Sequence, residues 1–248
     1  MTATGEPRAD SIDAVVFDMG GVFLVPDPTR IAEVVASADV EIDTGHDVAH
    51  RAHYTGIRAV TELLGAGHLD EADPDVWRSY DFAWFACAGV DDSALERAVV
   101  ARDAYRRSPA KVGHVWTHPL PVNIDAFAAI AVDRPVAIVS NNDGTAAEQC
   151  ADHGICQVGP GPHTDVAALI DSGAVGVAKP DPGIFAPALA ALGTDPGRTL
   201  YVGDTVHADV RGAEAAGMPV VQLDPYDLHD DHEHWRLPDV AAIHARLR

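Results

Sequence analysis

Four short stretches of the 248-residue chain join chemically active side chains to apolar runs that can hold them. Asp18 ends the run Ala14-Val15-Val16-Phe17 and is followed by Met19-Gly20-Gly21-Val22. Ser140-Asn141-Asn142 ends Val136-Ala137-Ile138-Val139. Gly203-Asp204 ends Thr199-Leu200-Tyr201-Val202, with Asp209 five residues on. Lys179-Pro180-Asp181-Pro182 leads into an apolar stretch. Short apolar runs rich in Val and Ile, stopped by glycine or polar residues, read as buried strands. In an open parallel sheet, ligands collect at the carboxyl ends of such strands. The paired glycines after Asp18 let the backbone turn sharply and approach a bound group.

On one sheet edge, these stretches would bring together two carboxylates, a hydroxyl, an ammonium and glycine-freed backbone amides. Asp18 and Asp204 repel each other strongly away from bulk water. A hard divalent cation with oxygen ligands relieves that repulsion, and Mg2+ suits two carboxylates with waters and a phosphate. Ser140, the amides near Asn141, and Lys179 would then hold the remaining phosphate oxygens. A strand, an Asp and two glycines taken alone could equally be a turn cap. The argument rests on the four stretches together.

The elements that must position these residues fall into two patterns. From Asn123 onward helices and strands alternate, which implies a parallel, doubly wound sheet. Helices are predicted over Ile124–Val132, Thr145–His153, Ile184–Leu192, Ala208–Ala216 and Pro238–Leu247. Strands are predicted over Pro135–Ser140, Thr199–Asp204 and Pro219–Leu223, with Gly217 as a C-cap. Between Thr29 and Thr117 the pattern is helical instead. Thr29 is placed as the cap of a first helix. Others are expected over His50–Leu64, ended by Gly65 and Gly67, over Asp75–Cys87, and over Asp92–Arg107, closed by Ser108-Pro109. Prolines mark both the entry (Pro26, Pro28) and the exit (Pro119, Pro121) of this block; Phe23–Pro28 reads as a linker that leaves the main sheet, and the block is entered and left through two proline-marked strands. The expected organisation is a core from residues 1–28 and 118–248, with 29–117 inserted as a helical domain.

Composition narrows the function classes. The formal net charge is -21, which argues against nucleic acid and anionic membranes as partners. Hydrophobic residues make up 47%, enough for a sizeable core. Cys87, Cys150 and Cys156 form no CxxC pair, so neither a disulfide framework nor a zinc site is expected. Residues 1–11 lack an apolar stretch, and no run approaches a membrane span. The expectation is a soluble, cytoplasmic protein. Lys111 and Lys179 are the only lysines among 17 basic residues.

The four stretches, in this order, resemble the haloacid dehalogenase (HAD) superfamily. Asp18 in Phe-Asp-Met-Gly-Gly-Val matches the nucleophile motif, and Ser140 in Ile-Val-Ser-Asn-Asn the Ser/Thr motif. Lys179 in Val-Ala-Lys-Pro-Asp-Pro-Gly-Ile-Phe matches the lysine motif. Asp204 and Asp209 in Gly-Asp-Thr-Val-His-Ala-Asp match the acidic motif. The resemblance covers about residues 12–28 and 119–225, and the helical block is similar to the family's type 1 cap. It implies a Rossmann-like core and a small phosphorylated metabolite as substrate. Asp18 would attack phosphorus, giving an aspartyl phosphate that water hydrolyses. Mg2+ would be held by Asp18, the Gly20 carbonyl and Asp204. Lys179 would stabilise the equatorial oxygens, while Asp209 would orient Lys179 or a metal water.

The chain departs from the family at one position. Most of the family's phosphatases carry a second Asp two residues after the nucleophile as general acid, and here that position is Gly20. Family members with Gly there include sugar-phosphate phosphatases. Three readings are open: an acid from the cap, where His46, Asp47, His50 and His53 cluster; a good leaving group such as a sugar 1-phosphate; or a chain with little or no activity that binds a phosphorylated ligand or a protein. The family's dehalogenases, which attack carbon, also lack that Asp, but they usually lack the acidic motif that Asp204 and Asp209 supply.

Other notable residues fit plainer roles. His229, His232 and His234 among Asp230, Asp231 and Glu233 read as a solvated acidic loop. Trp77, Tyr80 and Trp84 read as the cap's own core. Arg51 and Arg58 read as solvated helix-surface charges.

Overall fold

A computed structural model describes residues 6–65, 73–108 and 114–248. The expected stops at Gly67 and Pro109, and Lys111, lie outside the described residues. The chain divides into two compact units. One is Met1–Leu24 with Pro119–Arg248, and the other is Val25–His118.

The first unit is built on a six-stranded sheet. Its order is Arg236–Leu237, Val220–Leu223, Thr199–Gly203, Ala14–Phe17, Val136–Ser140 and Leu169–Asp171. Every one of these pairings is parallel. The three central strands are buried along their whole length, as a sheet covered on both faces requires. Val15 lies opposite Val136 on one side and Leu200 on the other. The three side chains that follow these strands, Asp18, Asn141 and Asp204, therefore leave the sheet at the same edge. Under one face, Phe17, Phe23 and Phe127 pack with centroids 4.9–5.7 Å apart.

Several helices depart from their expected form for local reasons. Pro121–Asp133 opens one turn early, because Pro121 at its first position has no N–H to leave unpaired. The stretch expected as one helix over Ala208–Ala216 begins as a π-helical turn, Val206–Val210, and becomes α-helical only over Arg211–Ala215. Strands Leu169–Asp171 and Arg236–Leu237, and the separate pair Cys156–Val158 with Thr164–Val166, were not predicted. At two or three residues each, they are too short to carry a period-2 pattern.

The second unit holds helices Pro28–Val35, His46–Gly65, Pro74–Cys87 and Asp92–Arg107. Tyr80, Trp84, Phe85, Val76 and Val99 form its buried centre, with Trp77 packed partly against it. Gly56 is where the second helix passes the third: a Cβ there would lie 2.6 Å from the Tyr80 ring. Asp81 is buried and paired with Arg106, and Arg102 is buried beside it.

Two expectations at the entry to this unit are corrected. The cap of its first helix is Asp27, not Thr29: Asp27 Oδ1 accepts the Thr29 amide at 2.8 Å, and Pro28 takes the first helical position. A carboxylate caps as well as a hydroxyl, and proline is preorganised for the position it takes here. Phe23–Pro28 is also not a simple linker. Leu24–Pro26 is a buried strand in a two-stranded sheet with Trp116–Pro119. The Asp27 amide donates to the Val115 carbonyl, and the Leu120 amide to the Phe23 carbonyl. Pro26 is tolerated because a two-stranded ribbon has only edge strands.

Candidate active site

Asp18 is the first residue past its strand, and its amide still donates to the Val202 carbonyl of the neighbouring strand. The chain then turns through Met19–Phe23. Gly21 adopts φ +69 and its amide donates to the Leu24 carbonyl, a conformation that glycine takes without strain. The buried side chain of Asn123 ties this turn down. Its amide nitrogen donates to the Val22 carbonyl at 2.7 Å, while its oxygen accepts the Val240 amide that opens the last helix.

Lys179 lies at the centre of the charge cluster. Its ammonium makes an ion pair with Asp18 Oδ1 at 2.9 Å and donates to Asp209 Oδ1 at 2.7 Å and to the Tyr201 hydroxyl at 2.9 Å. Tyr201 in turn donates to Asp209 Oδ1 at 2.8 Å. The other Asp209 oxygen accepts from the Thr205 amide and hydroxyl and from the Asp204 amide. Asp209 is thus filled by the lysine on one oxygen and by the 204–205 turn on the other. Asn141 clamps the Lys179 backbone reciprocally: its Oδ1 accepts the Lys179 amide at 2.8 Å, and its Nδ2 donates to the Lys179 carbonyl at 3.0 Å. Any phosphate contact by Asn141 therefore falls to its main chain.

Asp18, Asp204 and Asp209 each offer a buried carboxylate oxygen, all within 4.8 Å of one another. Among the described residues no other such acidic, His or Cys group of three occurs. Burial and the neighbouring carboxylates push the Asp18 carboxyl up to about 7, against the pull of Lys179. Burial and Asp209 push Asp204 well above the usual carboxylate range. Burial also opposes ionisation of Asp209, but Lys179 and the Thr205 bonds outweigh it and hold it low. For Lys179 burial is likewise outweighed, here by Asp18 and Asp209, and its value is raised. One ammonium therefore serves three carboxylates, leaving two that resist ionisation where they stand. An all-oxygen donor set with uncompensated negative charge fits a hard divalent cation. Gly20 sits in the turn directly after Asp18, in a bridge with Leu24.

Ser140 is buried at the end of the strand beside that of Asp18. The loop after it is shaped by Asp171, which sequence reading passed over. Its two oxygens accept the amides of Gly144, Ala146 and Gly173 at 2.8–3.0 Å. Tyr201 and Thr205 were also passed over, though both belong to the network. A tyrosine two residues before Gly203-Asp204 on a buried strand was the available signal, because a buried phenol seeks a polar partner.

The histidine-rich loop departs from expectation. It is not simply solvated: His229 is 1% exposed, and His234 Nε2 lies 2.6 Å from Gln222 Oε1. The buried Asp224 carboxylate draws the loop inward by accepting the amides of Leu228 and His229. His46, Asp47, His50 and His53 lie on one helix of the second unit. His53 is fully buried there, bonded to the Tyr80 hydroxyl at 3.0 Å and set against Trp116, and burial lowers it to about 3. Such a histidine is a packed neutral ring, not a proton donor. His46 meets His118 at 2.6 Å, and burial lowers His50 to about 4.

Phosphoserine phosphatase of Thermus thermophilus is 34% identical over 131 residues, 53% of this chain and 49% of that protein. Glyceraldehyde 3-phosphate phosphatase of Methanopyrus kandleri is 44% identical over 55 residues, 22% of this chain and 24% of that protein. The chain thus spans half or less of the length of these relatives. Among solved structures, the HAD-hydrolase YfnB from Bacillus subtilis, bound to magnesium, shares the fold with a TM-score of 0.58. It is 14% identical, over 98% of this chain and 100% of that one. No helix among the described residues is long and apolar enough to cross a membrane. The family model described as haloacid dehalogenase-like hydrolase matches residues 12–217, and with its parallel core and strand-end acidic cluster the chain belongs to that family.

Proposed function

We propose that the chain is a Mg2+-dependent phosphohydrolase acting on a small phosphomonoester through Asp18. The observation that carries this reading is the buried cluster in which Lys179 bridges Asp18 and Asp209 while Asp204 stands within 4.8 Å of both. The phosphatase names of the two relatives lend support, and a nucleophile on carbon would not call for so many acidic neighbours.

In the first step an Asp18 oxygen forms a bond to phosphorus while the bond to the leaving oxygen breaks, giving an aspartyl phosphate. In the second, water adds to phosphorus and the Asp18 oxygen departs, regenerating the carboxylate and releasing phosphate. Lys179 holds an equatorial phosphoryl oxygen and keeps Asp18 oriented. Ser140 and the main-chain amide of Asn141 take the other oxygens. Asp209, with Tyr201 and Thr205, keeps Lys179 in place. Bound by Asp18, the Gly20 carbonyl and Asp204, Mg2+ would supply positive charge against the phosphate and the nucleophile. The resemblance implies a cap role for the helical residues 29–117.

With Gly20 in place of an acid, no carboxyl next to the nucleophile protonates the departing oxygen. Positioned acids contribute roughly 10²–10⁴-fold, so the rate should depend steeply on leaving-group pKa. Aryl phosphates should turn over much faster than simple alkyl phosphates, and Gly20→Asp should flatten that trend. Measuring kcat/KM across such a series for both proteins tests the reading. No turnover of any phosphate in either, with halide release from a 2-haloacid, would replace it with carbon chemistry.

A further inference from the structure

Asp204 is held at both ends of its peptide. Its amide donates to Asp209 Oδ2 at 3.2 Å, within the network already described. Its carbonyl accepts from Gln222 Nε2 at 2.8 Å. Gln222 is fully buried on the adjacent strand, directly opposite Gly203. Since only its NH2 can serve the Asp204 carbonyl, its oxygen faces His234 Nε2 at 2.6 Å and must accept from it. His234 is therefore the Nε2–H tautomer. Main-chain bonds pin the loop that carries it: the Gln222 amide donates to the Trp235 carbonyl, and the Asp224 amide to the Leu237 carbonyl. Asp204, Gln222 and His234 thus form one chain of hydrogen bonds across 30 residues of sequence, none of it reaching the reacting atoms.

We infer that Gln222 and His234 are positioning residues for the cation site, fixing the backbone of Asp204 and so the aim of its carboxylate. This rests on the proposed function, in which Asp204 is a cation ligand. Losing a partner that orients a metal ligand from behind typically costs roughly 10–100-fold in metal affinity or activity. A merely structural role would stabilise the fold without touching cation affinity.

The test is Mg2+ binding to the protein without substrate, by titration calorimetry, alongside melting temperatures in EDTA. His234→Leu should weaken Mg2+ binding about tenfold with a small change in the EDTA melting temperature. His234→Gln keeps an N–H donor of similar reach and should restore binding. Gln222→Met, of similar length, loses the donor to the Asp204 carbonyl and should weaken binding at least as much. Should wild type bind Mg2+ and all three variants bind it equally well, this inference falls and the proposed function stands. Should wild type bind no Mg2+, both fall. A drop in affinity in His234→Leu that tracks an equal loss of stability, unrescued by His234→Gln, would also overturn the inference.

Discussion

Gly203 shows how closely single residues constrain the acidic network. A Cβ on Gly203 would lie 2.3 Å from Asp209 Cγ, so the carboxylate that anchors Lys179 occupies the space a side chain would take. Gly203→Ala should displace it, lowering stability by about 1–3 kcal/mol and, on the proposed function, cutting turnover of a phosphomonoester more sharply than stability. Gly197→Ala, where nothing lies within 4 Å, serves as the control and should stay within about 0.5 kcal/mol. Denaturant midpoints and turnover of both variants check this. At this scale the legible residues were those whose meaning is local. Asp18, Ser140, Lys179 and Asp204 each follow an apolar run or stand in a proline-marked turn, and the sequence shows both. Asp171, Gln222 and His234 owe their contacts chiefly to partners 12 to 27 residues away, which no local pattern records.

Among the elements, the helix His46–Gly65 carries a histidine that the fold keeps neutral. His53 falls to about 3 on burial, below its ordinary value of about 6.5. On acidification the unfolded chain takes up the proton first. The stabilising effect of a neutral His53 is therefore complete above about pH 6.5 and lost as pH falls towards 3, at about 1.4 kcal/mol per pH unit. The difference in unfolding free energy between wild type and His53→Phe should tilt in that direction, and a difference constant from pH 7 to 4 would contradict the burial. Long periodic elements such as this helix and Asp92–Arg107 were legible to within a few residues. The π-helical turn at Val206–Val210 was not. There Asp209 must accept from Thr205 while its own amide returns to the Thr205 hydroxyl, a tertiary demand that interrupts the α-helical ladder.

At the scale of the whole molecule, charge dominates. Thirty-eight acidic residues against 17 basic ones leave a net charge of -21, and like charges that compact on folding repel each other. Raising monovalent salt from low millimolar to about 0.2 M shortens the screening length to below about 10 Å and should raise the melting temperature. A melting temperature that falls with added salt would mean the native ion pairs outweigh the net repulsion.

The scarcity of lysine has a consequence for how the protein can be observed. Of the two lysines in the chain, Lys179 is buried and held as a charged ammonium between two carboxylates. Amine-acylating reagents need a neutral, accessible amine, so in the native state Lys179 is shielded twice. It becomes reactive only when the core domain opens. The rate at which one peptide of this chain gains an acyl group is therefore a clock for the opening of the sheet-bearing unit, read by mass alone and without any ligand.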